Sequence, residues 1–436
     1  MQRNQNSEKE NLKANVLFVD MNSFFASCEQ QVNYWLRNRP VGVCVYTGQH
    51  GCVIAPSIEA KKLGIHLGLR LSEAVKMCPD LVPVETHPNR YREFHLKIIQ
   101  VLKKYSEDVI PKSIDEAIVN LKGYELVHKD PMEVARKIQQ DIKNEVGDWL
   151  RCSVGVAPNA FLAKLGSDIA GNGQICLITP ENIDDTLRNL KLTDLPGISF
   201  GMSKRLERGG IHTPLEIRYA SPERLQRVCK SIIGLHWHYR LNFKEVDLII
   251  HSYKNMQAMR QVSKEQRESI EVLNELFLML CMKLEQRMVK NNVFAKKFGI
   301  TCSYEETNWT KKEYLHYSDG ITTSQPIQSG IEMMQFLRSR MEKYEDANQC
   351  EPVINHRLTS MGIWVSDFIL GDHVQYTLFG SKQKEDKLRK TVYGIKDKYG
   401  SDKIMPASEM SDDPVLKDVI GFGSIKDLHE DISFFD

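Results

Sequence analysis

Val16-Leu17-Phe18-Val19-Asp20-Met21-Asn22-Ser23-Phe24-Phe25 is the stretch on which the fold turns. Its four leading residues form an unbroken apolar run, the pattern of a strand buried on both faces, and the run delivers a carboxylate, Asp20, at its C-terminal end. Outward from it, a second β-rich region joins Val109-Ile110 to Ser113-Ile114-Asp115-Glu116-Ala117-Ile118-Val119, and a third covers residues 152–156 and ends at Ala157-Pro158-Asn159. Helical patterns over residues 91–105 and 132–146 lie between them. Strands alternating with helices imply an α+β or α/β core assembled from distant segments.

Asp20 and the adjacent pair Asp115-Glu116 are the candidate chemistry, because two Mg²⁺ ions held roughly 3.5–4 Å apart need carboxylates converging on one point. Neighbouring side chains of a regular strand face opposite ways, so Asp115 and Glu116 can share a site only where the backbone leaves the ladder, at a hairpin or bulge. Pro111 and Ser113 suit such a turn. On these residues alone, a solvated turn pair with Asp20 as a helix cap is an equal reading.

The remainder of the 436 residues exceeds what one hydrophobic core organises. Past Thr179 the pattern is helical and short, with Leu195-Pro196-Gly197-Ile198 opening a helix over residues 202–209 in the manner of a helix-hairpin-helix. Residues 241–256 have no clear period and read as a link. Ser263 and Gln266 form a capping box, followed by Ile270, Leu273, Leu276, Leu280, Leu284 and Met288 at helical spacing, which predicts one long amphipathic helix. With strands over 256–262, 294–304, 314–322 and 359–365 and a second helix through Ile331, Met334, Leu337, Met341 and Tyr344, the order is β-α-β-β-α-β, a ferredoxin-like plan.

Apolar residues make up 42% and charged residues 26%, and no apolar run is long enough to cross a bilayer. The N-terminus shows no signal-peptide pattern, so a cytoplasmic location with no membrane partner is expected. Ten cysteines include no CxxC pair, which argues against a zinc or redox motif. Residues 401–436 hold nine acids and three bases, a net of −6 against +7 for residues 1–400: a basic body with an acidic tail.

Two segments, Phe18-Val19-Asp20-Met21-Asn22-Ser23-Phe24-Phe25-Ala26 and Ser113-Ile114-Asp115-Glu116-Ala117, resemble signatures of Y-family translesion DNA polymerases of the DinB/UmuC type. Val154-Gly155-Val156-Ala157-Pro158-Asn159 through Ala163-Lys164, the Leu195-Pro196-Gly197 hairpin and the β-α-β-β-α-β unit follow in that family's order, so the resemblance spans residues 15–365. It implies a right-hand α+β multidomain polymerase: a ferredoxin-like palm (12–24 and 88–177), small fingers (25–87), a helix-hairpin-helix thumb (178–242), a linker (243–255), a little finger (256–368) and a tail (369–436). It also implies Asp20, Asp115, Glu116 and the Met21 carbonyl as ligands of two Mg²⁺ ions, with Mn²⁺ as a substitute. Phe25 would be the steric gate under the sugar, and Lys61 and Lys164 would meet the triphosphate. Ile58-Glu59-Ala60-Lys61 stands where many relatives carry Tyr-Glu-Ala-Arg, so a bidentate guanidinium is replaced by a point charge. UmuC-like members resemble this variant.

DNA contacts are expected from hairpin amides at Gly197, Ser199 and Gly201, with Ser199 replacing the usual glycine. Further contacts are expected from basic side chains of the last unit, among them Lys254, Arg260, Lys264, Arg267, Lys296 and Lys297. Gln375-Tyr376-Thr377-Leu378-Phe379 resembles the peptide with which bacterial polymerases hold their sliding clamp, Gln375 supplying hydrogen bonds and Leu378 and Phe379 filling an apolar pocket. The expected activity is low-fidelity synthesis past lesions in the SOS response to DNA damage, on primer-template DNA and dNTPs, without proofreading and with or without an accessory subunit. The rivals are a ferredoxin-like nucleotide cyclase and a catalytically weak scaffold bound to DNA and clamp.

Overall fold

The computed structural model describes residues 12–48, 51–248, 254–305, 316–376, 381–399 and 404, which divide into two compact units parting near residue 249. In the first, β1 (Val16–Met21) is followed by the helix Phe24–Val32 and a small sheet of β2 (Val41–Cys44), β3 (Val53–Pro56) and β4 (Val82–Glu85), ordered β3-β2-β4. After the helix Pro88–Leu102 come β5 (Val109–Pro111), β6 (Glu116–Asn120), β7 (Cys152–Ala157) and β8 (Ile175–Leu177). These join β1 in a five-stranded sheet of order β5-β6-β1-β7-β8, with β1 in the centre.

Both faces of β1 are covered, as its apolar run requires. Leu17, Val19 and Met21 pack in a core with the helices Pro88–Leu102 and Pro131–Asp141. Val16 and Phe18, on the opposite face, pack with the helix Ala160–Ile169 and the short helices that follow. That helix can lie flat on the sheet because Gly155 sits beneath it: a Cβ there would come within 1.8 Å of the Ala163 carbonyl oxygen and 2.5 Å of the Ser167 nitrogen. Gly155→Ala must therefore push the helix off the sheet, with an expected cost of about 1–3 kcal/mol. The melting temperature should fall accordingly, and an unchanged melting temperature would contradict this.

The helices after Thr179 are short, and two of them carry side-chain caps. Thr213 and Ser221 accept from the Glu216 and Arg224 amides, and a proline follows each cap at the first helical position. The expected linker starts later than its sequence indicates. Asn159 Nδ2 donates to the Arg240 and Lys244 carbonyls at 2.8 and 3.1 Å, and Glu245 Oε2 accepts from the Ala160 amide at 2.8 Å, so residues 244–248 are tied to the first unit. Aperiodic sequence hides this, since the ties are polar contacts to backbone rather than an apolar stripe.

In the second unit β9 (Asn255–Gln261), the helix Ile270–Lys290, β10 (Val293–Tyr304), β11 (His316–Ile327), the helix Gly330–Asn348 and β12 (Leu358–Leu370) form an antiparallel sheet ordered β11-β10-β12-β9. Each helical crossover spans an intervening strand. One expectation needs correction: the Ser263–Gln266 capping box closes a separate short helix, Lys264–Arg267, and the long helix begins at its own cap, Ser269, which accepts from the Val272 amide. Two caps six residues apart mark two helices, a signal the apolar spacing overrode. The tail also contains a helix that sequence reasoning missed, Lys382–Tyr399, packed on Ile270–Lys290 through Tyr393 and Arg389, both of which meet the buried Glu285. Its lysine-rich composition offers almost no apolar stripe to detect.

Candidate active site

Asp20 and Glu116 are brought together by strand register. In the antiparallel β1–β6 pair Asp20 stands directly opposite Glu116, as Phe18 does opposite Ile118, so the two carboxylates share one face at the ends of adjacent central strands. Asp115 belongs to the hairpin joining β5 to β6, where the Lys112 amide donates to the Glu116 carbonyl at 2.9 Å and the strand begins only at Glu116. The β-rich stretch read from Ser113 thus splits into a bend and a strand, and the bend lets consecutive carboxylates serve one neighbourhood. The Met21 amide donates to the Asp115 carbonyl at 2.9 Å, holding the bend against the end of β1.

A cavity of about 550 Å³ opens here, lined among others by Asp20, Ser23, Phe25, Lys61, His66 and Asp115. Phe25 is 2% exposed, and its ring stacks on that of Tyr91 at 4.4 Å with 15° between the planes. The Tyr91 hydroxyl in turn donates to Glu29 Oε1 at 2.7 Å, and Glu29 also meets His87 and Arg90. Lys61, exposed on the short helix Ile58–Lys62, reaches the rim, while Glu59 of the same helix accepts from Gln30. Ser23 has left-handed backbone (φ 50°) and a buried hydroxyl without a hydrogen-bond partner, a strained residue at the cavity that sequence reasoning passed over.

The Lys164 side chain, expected to meet a triphosphate, reaches in among the carboxylates. Its Nζ lies 2.8 Å from Asp20 Oδ2, 2.6 Å from Glu116 Oε1 and 2.8 Å from Asp168 Oδ1, with the Phe18 ring centroid 4.9 Å away. Asp168 is a fourth carboxylate that sequence reasoning missed, although its i,i+4 spacing from Lys164 was legible. Burial raises the Asp20 carboxyl to about 6 despite the opposing pull of Lys164. Burial also raises Asp115, which accepts from Ser113 Oγ at 2.5 Å, and Asp168. The Lys164 ammonium is held charged: burial works against it, but Asp20, Glu116 and Asp168 outweigh that.

Among the described residues no three His, Cys, Asp or Glu side chains stand at metal-ligating separation. The Lys164 ammonium fills the space between Asp20 and Glu116, and Asp115 is turned toward Ser113. The donor set still fits hard divalent cations, being all carboxylate with one ammonium beside four acids.

Gly197 occupies a turn with φ 85°, a conformation that favours glycine, and it is exposed ahead of the helix Phe200–Arg208; Ser199 and Gly201 are exposed beside it. In the second unit Lys297 shares the helix-free face of the sheet with Asn255, Gln257, Met259 and Trp364, its Nζ 6.0 Å from the Trp364 ring. Arg260 does not: it alternates with Gln257 and Met259 and lies on the side of Met256 and Ala258, because a strand reverses face at every residue. Lys254 and Lys264 are exposed near the ends of β9, Lys296 sits at a bulge in β10, and Arg267 pairs with Glu305. Gln375 is exposed; Leu378 and Phe379 lie outside the described residues.

The impB/mucB/samB family model matches residues 19–168, the segment that holds Asp20, Asp115, Glu116 and Asp168. A DNA polymerase IV of Pelotomaculum thermopropionicum is 26% identical over 93% of this chain and 98% of its own length. One of Streptococcus agalactiae is 30% identical over 56% of this chain and 74% of its own. A Y-family DNA polymerase chimera has a similar fold, with a TM-score of 0.68 and 22% identity over 81% of this chain and 99% of that one. With a relative 30% identical over 74% of its own length, and the matching motifs on the carboxylate-bearing strands, the chain belongs to the Y-family of DNA polymerases, of the DinB-like type.

Proposed function

We infer that this site performs template-directed DNA synthesis, with Asp20, Asp115 and Glu116 holding two divalent metal ions and Phe25 reading the sugar. The observation that carries the reading is the in-register pair Asp20 and Glu116 beside a cavity that Asp115 and Phe25 line. The chain is a DNA-directed DNA polymerase of the translesion class. Metal ions bound at such carboxylates lower the pKa of a primer 3′-hydroxyl and neutralise the triphosphate and leaving pyrophosphate. The Met21 carbonyl adds a hard oxygen donor. Lys61 offers charge to the phosphates from the cavity rim, and the Phe25 ring occupies the volume a 2′-hydroxyl would need. Loss of the arginine fork at position 61 weakens geometric grip without removing charge.

On this reading the five-stranded sheet is the palm, the β2–β4 sheet with its helices the fingers, and the short helices after Thr179 the thumb. The exposed residues Gly197, Ser199 and Gly201 suit contact with a DNA phosphate. The helix-free sheet face bearing Lys297 and Trp364 suits the duplex backbone, a contact that should weaken steeply with salt. A small fingers sheet fits a permissive enzyme. Extension of a primed template by the purified chain with Mg²⁺ tests the reading; absence of any extension with intact DNA binding would favour the scaffold alternative.

Gln375 to Phe379 is proposed as the sliding-clamp peptide, tethering the enzyme and raising its local concentration at the primer end. Leu378→Ala with Phe379→Ala should then cost on the order of several kcal/mol of clamp affinity. Extension of a bare primer should be unchanged while stimulation by a loaded clamp is lost. Parental clamp affinity in a direct titration would place the attachment elsewhere.

A further inference from the structure

We propose that Asp168 is a positioning residue for Lys164, receiving its ammonium when divalent cations take Asp20 and Glu116; this rests on the metal reading above. The ammonium has three N–H donors and three carboxylate partners, Asp20, Glu116 and Asp168, at 2.8, 2.6 and 2.8 Å. Two of these partners belong to the metal-binding set, and only Asp168 does not. A lysine and divalent cations cannot share the same carboxylate oxygens without close contact between like charges. Metal entry must therefore displace the ammonium, and the flexible lysine stem permits a small swing rather than a change of backbone. Asp168 lies one helical turn beyond Lys164 on the same helix, so it can keep the ammonium beside the site instead of releasing it to solvent.

The local setting gives Asp168 no other benefit. It occupies the last turn of Ala160–Ile169, where the carbonyl end of the helix disfavours a carboxylate. The lysine precedes the acid in the i,i+4 pair, which is the weaker order. An asparagine there would suit the helix at least as well. What the carboxylate adds is a partner for Lys164 that survives metal binding. The ammonium then remains charged and close to the place where triphosphate oxygens arrive, and the site moves from internal neutralisation by lysine to external neutralisation by metal.

The test is binding of Mn²⁺ alone to the full chain, followed by the electron paramagnetic resonance signal of the free ion, without DNA or nucleotide. Asp168→Asn should weaken Mn²⁺ binding by about tenfold, the scale of one charge-assisted hydrogen bond lost from the metal-bound state. In a Lys164→Ala background the same substitution should change it by less than about threefold, because there is no ammonium left to receive. Asp168→Glu, which keeps a carboxylate on that turn, should recover most of the affinity. Equal weakening in both backgrounds would overturn the proposal, making Asp168 a ligand or field source; no weakening in either would overturn it as well. Asp20→Asn is the control for the underlying reading: if it binds Mn²⁺ as the parent does, the metal assignment itself fails, an outcome distinct from the two above.

Discussion

Asp115→Ala should abolish primer extension, by about a thousandfold or more, while DNA binding stays near the parental level. The asymmetry follows from where Asp115 sits. Its carboxylate lines the cavity from a hairpin bend and is held in place by Ser113, whereas the surfaces proposed for DNA lie on the thumb hairpin and the second unit. Removing it deletes a hard oxygen donor from the proposed metal set but none of the proposed contacts to the duplex backbone. Asp20 is raised chiefly by burial, and alanine removes one lesser repulsion on it, so the fold should not suffer. Single-turnover extension measured beside DNA binding by fluorescence anisotropy checks both halves. Extension near the parental rate would sink the assignment, and parallel loss of DNA binding would point to a disordered palm instead.

The apolar run 16–19 and the carboxylate at its end could be read directly, because a strand buried on both faces leaves an unbroken apolar signature. The need for a break before Glu116 could also be deduced, since adjacent strand residues diverge. That Asp20 faces Glu116 could not, because register between segments nearly a hundred residues apart is set by the whole sheet. The same limit hid the three-way contact of Lys164, which depends on Gly155 letting one helix lie close to the sheet. Arg260 and Lys297 show the limit within one sheet: both are basic, but only alternation along paired strands tells which shares the open face. Where the sequence misled, as at the Ser263 capping box, a correct local motif had been attached to the wrong helix.

Replacing Phe25 with alanine should raise incorporation of ribonucleotides relative to deoxyribonucleotides by about a hundredfold. Two properties of the site make the proposed gate rigid. Phe25 stacks on Tyr91, and Tyr91 is fixed through its hydroxyl to Glu29, one helical turn beyond Phe25 on the same helix. The ring therefore cannot shift toward Tyr91 without displacing a ring that is tied to the buried Glu29. Because Phe25 is also core, alanine is expected to cost about 3–5 kcal/mol of stability, and absolute rates will fall. The ratio of kcat/KM for the two sugars is the proper measurement, since both substrates meet the same folded fraction and the loss of stability cancels. Tyr91→Phe supplies the complementary case: it removes the hydroxyl but keeps the stacked ring, so discrimination should slip only partly, and by less than in the alanine variant. A ratio unchanged by Phe25→Ala would make Phe25 a packing residue and leave sugar selection to another wall of the cavity.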